Sequence, residues 1–470
     1  MNEVFLEAVG PIVVKEVRQG LRAKVFAICF GLLLFACLVT ALFAAAEVRD
    51  SHGVALGPQY LTLFLSGVGI ICFFVIPYTA YRSMAREREE ETWVLLALTG
   101  LSSRRIVHGK TASALTQAVL YASAGAPFMV FSYFLNGVDL PTLLLELFLA
   151  ACMAVFLTSC AVALGTEGHT RQGRAAVHFF VLGLLGAATF AALAFGANMA
   201  HKGGAWVDEA TFLVFSICFP LLLLSTSALV LEGAAAGLCL ASDASARGAR
   251  LVLLGQLVVV VSATFLGVAL MPSTANDLAA AFSVMTSLFL AGFGFFAISE
   301  RDGHPRSQPR PGWLTGGALR GWKLVTLALV GTTVAWAALH LLKFDSANPK
   351  HWSVLLAAPL YVGLYLSLAV LAGRLTPLRR LGEPVATRLA FVILVAAAAV
   401  LSPVVAMLAG ERNNDRLFNA LNPIIGMVNM TERFERRYAA RILDLLFGLW
   451  AFCSLMAWVV LKRRDGSRLG

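Results

Sequence analysis

Apolar residues run along this chain in long blocks separated by short polar segments. Blocks rich in Leu, Val, Ala and Phe cover residues near 25–46, 59–81, 112–135, 142–164, 176–197, 211–231, 251–271, 279–298, 322–342, 353–373, 388–409 and 440–461, with charges at their edges. A helix of about 20 apolar residues crosses the roughly 30 Å of hydrocarbon in a bilayer. The two-residue alternation of a membrane β-barrel is missing from these blocks. The pattern predicts an all-α polytopic membrane bundle of about twelve transmembrane helices.

Three polar segments have helical patterns of their own. Around Pro11, which suits a first helical turn, Val13, Val17 and Leu21 share one face, while Lys15, Arg18, Gln19 and Arg22 share the other. An amphipathic helix lying in the membrane interface is expected there. Between the second and third blocks, Arg86 can pair with Glu89 and Glu90, and Val94, Leu95 and Leu98 supply an apolar stripe. Gly100 can end that helix and Ser102 or Ser103 can cap the next. The segment 410–438 is amphipathic and too polar to span, and suits short helices on the outer face.

Composition agrees with lipid as the solvent. The chain is 59% hydrophobic and 14% charged, with a mean hydropathy of +0.79, whereas soluble domains hold about 45–50% apolar and about 25% charged residues. With the N-terminus inside, 27 of the 37 basic residues fall on the cytoplasmic side, which orients both ends inward (N-in/C-in). The net charge of +10 then belongs to the inner face, suiting anionic headgroups and not nucleic acid. The eight cysteines lie in or beside spans, as packing residues. Ala44-Ala45-Ala46 is similar to a signal-peptidase site, but the apolar run before it exceeds a signal core of about 7–15 residues. An uncleaved anchor is expected.

Candidate chemistry is sparse. Gly109-Lys110-Thr111 lacks the earlier glycine of a phosphate-binding loop, because Arg104 stands there. No nucleotide-binding motif, metal-binding motif or nucleophile–base pattern is present, so no cofactor is expected on this chain. Glu232 is the one acidic residue well inside an apolar stretch and an intramembrane polar candidate, although it lies about one turn from the inner surface. Glu146 and Asp444 are expected near the outer ends of their spans, reaching water. The chain divides into two six-span halves, 1–241 and 242–470. A weak repeat supports this: Glu87-Arg88 and Leu98-Thr99-Gly100 in the first half, Glu300-Arg301 and Leu314-Thr315-Gly316 in the second.

Residues 86–111 carry a family resemblance. Glu87-Arg88-Glu89-Glu90-Glu91-Thr92, then Leu95-Leu96-Ala97-Leu98, Thr99-Gly100-Leu101-Ser102 and Gly109-Lys110 stand in the order seen after span two in permease subunits of ABC exporters of the second type. Pro11, Lys15-Glu16, Arg18 and Arg22 resemble that family's elbow helix, and Asn422-Pro423 is also similar. Glu91 replaces a usual Gly and Gly100 a usual Pro. Twelve spans exceed the six common in the family, so the second half rests on topology.

The resemblance implies a non-enzymatic permease in the cell (cytoplasmic or inner) membrane, driven by a separate cytoplasmic ATPase that holds the ATP and Mg. Segment 85–105 would be the coupling helix, with Glu87, Arg88, Glu91, Thr92, Leu95, Leu98, Gly100, Arg104 and Arg105 facing the ATPase. A second copy or a paralogue of the permease stays open as a further partner. An ion-coupled secondary transporter would want midplane polar groups on broken helices. A membrane scaffold or enzyme would want a docking domain or a reactive cluster. Both classes stay open.

Overall fold

Helices carry every long apolar block. The computed structural model describes residues 11–50, 55–90, 102–167, 171–202, 210–238, 246–270, 275–300, 314–343, 349–373, 383–408, 419–432 and 436–466. Among these no strand occurs. In chain order the helices are α1 (Pro11–Arg22), α2 (Lys24–Asp50), α3 (Gly57–Gly69), α4 (Ile76–Glu89), α5 (Ser103–Phe134), α6 (Leu140–Gly165), α7 (Arg171–Lys202) and α8 (Ala210–Leu238). They continue as α9 (Arg247–Leu270), α10 (Ala275–Ala297), α11 (Ala318–Lys343), α12 (Pro349–Ala372), α13 (Glu383–Leu408), α14 (Pro423–Glu432) and α15 (Arg436–Gly466).

Among the described residues eleven helices are long and apolar enough to cross a membrane, counting α3–α4 as one, and the apolar part of α13, Ala386–Leu401, is shorter. A multi-pass membrane protein follows. Lipid is needed as well as tolerated: Val25, Ile28, Leu32, Phe35, Leu42 and Phe43 of α2 are all more than half exposed, and in water so large an apolar surface would drive association.

The second span is interrupted. A π-helical turn, Ile70–Val75, joins α3 to α4 just before Pro77. Proline removes one ladder hydrogen bond, and a wide turn is a usual way to absorb such a break. Beyond Pro77, α4 runs without interruption to Glu89. Glu87 and Arg88 are therefore continuous with the second span. Arg86 pairs with Glu90 at 2.9 Å, while Glu89 turns to Arg174 of α7 at 3.7 Å. Ser102 is the cap of α5, with extended backbone and its hydroxyl accepting from the Arg105 amide.

The chain forms two compact units, Met1–Leu240 with Gly248–Gln256, and Ala241–Arg247 with Leu257–Gly470. The first part of α9 thus groups with the first unit. In unit one, α6 packs on α4, α5, α7 and α8. In unit two, α12 packs on α10, α11, α13 and α15. Counted by span, the fourth and tenth helices therefore have matching neighbours. The α12 hydroxyls of Tyr361 and Tyr365 donate to the carbonyls of Ala420 and Leu421, holding a short 3-10 turn, Asn419–Leu421, against the bundle. Asn422 then caps α14, its carboxamide oxygen accepting from the Ile424 and Ile425 amides at 3.0 and 3.1 Å, with Pro423 in the first turn. Within 410–438, this turn, α14 and the start of α15 are the described parts.

Close backbone approach sets some helix positions. A Cβ on Gly57 would collide with the backbone carbonyl of Asn136 and stand 2.8 Å from that of Ser132. Neither atom can swing away as a side chain can. Gly57→Ala is expected to destabilise by about 1–3 kcal/mol, seen as a lower unfolding midpoint in detergent. Gly31→Ala, which meets nothing within 4 Å, serves as the control and should leave the midpoint unchanged or raise it.

Candidate functional site

Among the described residues, the helix ends around segment 91–101 carry the ion pairs of the first unit. Ser102 starts α5, and Lys110 lies two turns inside it with its side chain 3% exposed. Its ammonium group has three protons to place. Ser83 Oγ accepts at 2.7 Å, Glu87 Oε1 lies at 2.8 Å and Glu16 Oε1 at 3.4 Å. Ser83 and Glu87 are four residues apart on α4 and share one face, whereas Glu16 comes from α1. A charge taken out of water costs several kcal/mol unless its partners replace the lost hydration. Here two carboxylates and a hydroxyl do so.

The same face of α5 holds the rest of the N-terminal segment. Lys110, Gln117 and Tyr121 are spaced i, i+7, i+11 and form one stripe. Gly20 of α1 sits directly against the Gln117 side chain, where a Cβ would collide. Tyr121 donates to the Phe26 carbonyl at 3.0 Å, and its ring packs on Phe26 and Phe30 at 5.0 and 5.8 Å. On α1, Glu16 is turned inward and Lys15, Arg18 and Arg22 are exposed. Pro11 opens the helix.

A second cluster ties α5 to α8. Arg104 Nε donates to Glu232 Oε1 at 2.6 Å, and His108, one turn on, stands 3.8 Å from the same oxygen. Gly248 at the start of α9 lies against this pair, leaving no room for a side chain. The Arg104 side chain is 58% exposed, so Glu232 belongs to the open end of the bundle and not to its midplane. Arg105 is exposed and Arg88 half-buried beside Glu167.

The residues picked out from the sequence are therefore only partly brought together. Glu16 and Glu87 meet on Lys110, and Arg104 meets Glu232. Glu91, Thr92, Leu95, Leu98 and Gly100 lie outside the described residues. Lys110 itself was legible only as the Gly-Lys that opens the third span. The available signal was a lysine seven residues inside a mostly apolar helix. Ser83 and His108 carried no such signal. Glu146 departs from expectation: it is 3% exposed and does not reach water, whereas Asp444 is exposed.

Among the described residues no group of His, Cys, Asp and Glu could hold a metal ion. What the arrangement supplies is mechanical connection. The end of α4 and the start of α5 are tied by charge to α1 through Lys110, to α7 through Glu89–Arg174 and to α8 through Arg104–Glu232. Comparison with family models, curated proteins and solved structures finds no match to this chain.

Removing one partner of a buried ion pair strands the other charge and costs about 3–5 kcal/mol. Lys110→Met is expected to lose stability on that scale and to speed amide hydrogen exchange across residues 11–22. Lys110→Arg should retain most of both. Arg104→Ala removes a partner that is 58% exposed from a Glu232 that is 12% exposed, and should cost less than Lys110→Met.

Proposed function

We propose that this chain is the membrane-spanning permease subunit of an ATP-driven exporter of the second ABC type, working with a separate cytoplasmic ATPase that binds the ATP and Mg. In this reading the chain sits in the cell (inner or cytoplasmic) membrane with twelve spans and both ends inside, and α1 is the interfacial elbow helix. Segment 85–105 docks on the ATPase, with Glu87, Arg88, Glu91, Thr92, Leu95, Leu98, Gly100, Arg104 and Arg105 as its coupling residues.

The observation that carries the reading is the placement of ion pairs on both sides of that segment. A push on the segment acts on α4 and α5, and buried or part-buried charges pass it to α1, α7 and α8. The order of residues from Glu87 to Lys110 supports the same reading. The exposed basic face of α1 suits anionic headgroups.

A tagged chain purified from its native membrane under mild detergent is expected to carry a cytoplasmic ATPase with it. Arg105→Glu, at an exposed position of segment 85–105, should leave the complex assembled while removing the permease's stimulation of ATP hydrolysis. Recovery of the intact chain with no associated ATPase would sink the proposal.

A further inference from the structure

Among the described residues the ion-pair network leaves one buried carboxylate, Glu146, unused. Glu146 lies on α6 six residues past its start, about 9 Å along the helix axis, in a helix apolar enough to cross a membrane. It is 3% exposed. Both carboxylate oxygens are shut off from solvent, and neither accepts a hydrogen bond. The walls are apolar. Oε1 rests against Gly196 of α7, where a Cβ would stand 2.6 Å from it and 2.8 Å from Leu65 of α3. Leu149 and Met199, buried together with Leu145, Phe195 and Phe219 around them, form an apolar cluster beside it.

Among the described residues, the following titratable groups on the elements packed around it are engaged elsewhere or exposed, or make no hydrogen bond to it. On α3 and the π turn, Tyr60 donates to Glu47 and the Cys72 thiol to the Ala118 carbonyl. On α7, His178 packs on the rings of Tyr78 and Tyr81, and His201 is exposed. On α6 itself, Asp139 accepts from Thr142 at the helix cap. Tyr121 of α5 donates to the Phe26 carbonyl. Cys152 and Cys160 of α6 and Cys218 of α8 make no hydrogen bond to the carboxylate.

An ionised carboxylate without a partner in such a site costs several kcal/mol. Acidic groups inside membrane helices are rare and mark ion, proton or ligand sites. We infer that Glu146 is a proton-binding site of the first unit. The ligand has to be a positive charge, and the walls select among positive charges. A metal cation needs several oxygen ligands at once, and Leu65, Gly196 and Leu149 offer none. A proton needs a single oxygen: it adds to the carboxylate to give a neutral carboxylic acid, with no other bond made or broken. Gly196 is part of the site, because only a residue without a side chain lets α7 close over the acid. Loss of the proton leaves a bare charge at that contact, so proton occupancy and the closure of α7 on α6 are coupled. The inference does not depend on the ATPase reading.

Infrared difference spectra of the purified chain in lipid nanodiscs test it, recorded across a pH titration and, in separate runs, on adding Na+ or K+ at fixed pH. A side-chain carboxylic-acid carbonyl band that grows on acidification and is lost in Glu146→Gln is the expected result. Gly196→Ala keeps the acid but crowds it, and should shift that band in a folded protein even where Glu146→Gln does not fold. An acid titration identical in wild type and Glu146→Gln overturns the inference. So does a Gly196→Ala spectrum without a shift, or a Glu146 signal that answers only to Na+ or K+. ATPase co-purification is read independently of all these outcomes.

Discussion

A buried ammonium group has to find an acceptor for each of its protons, and at Lys110 those acceptors come from two other helices. This one requirement sets much of the first unit's polar end. It draws α1 onto α5 through Glu16, and it accounts for α4 continuing past its apolar stretch as far as Glu87. It also fixes the register between the second and third spans, because Ser83 and Glu87 must both face Lys110. The stripe that continues through Gln117 and Tyr121 then holds the N-terminal segment along α5.

Elsewhere helices are held by shape and by single hydrogen bonds. Lipid tails are as apolar as leucine, so burial against a neighbouring helix gains little over exposure to lipid, and close packing and interhelical hydrogen bonds carry more weight. Gly321 lies against the Ala297 backbone with no room for a side chain. Trp322 donates to Ser367, and Ser283 donates to the Leu355 carbonyl. Arg388 donates to Ser299 at 2.8 Å and lies over the Phe296 ring at 5.0 Å. In the second unit an arginine with a hydroxyl and an aromatic face thus closes the end of the eighth span. The first unit uses a lysine with two carboxylates at the end of its second span. The helix neighbours correspond between the units while the polar chemistry at these ends differs.

Two contrasting kinds of polar site stand out among the described residues. Those at the bundle end of the first unit are paired and partly open to water, as Arg104 with Glu232 and Arg174 with Glu89 are. They suit the transmission of force between helices. Glu146 is of the other kind, enclosed and unpartnered. Both sit in the first unit, and α6 packs on α4, α5, α7 and α8.

The local pattern of side chains was enough to determine the helical class and the positions of the apolar helices, and it narrowed the cap of α5 to Ser102 or Ser103. Apolar block length and capping chemistry act over a few residues, so they can be read along the chain. The amphipathic α1 and the pairing of Arg86 with Glu90 belong to the same range. Which charges meet could not be read that way, because Lys110 finds Glu16 from 94 residues away and Arg104 finds Glu232 from 128. Glu146 shows the same limit from the other side. Its place near the start of a span suggested contact with water, and only the packing of Gly196 and Leu65 over it closed that route. Hydropathy records how much apolar surface a helix carries. Which neighbour covers each side chain is decided by tertiary packing, and here that packing decided which charges are paired and which is left alone.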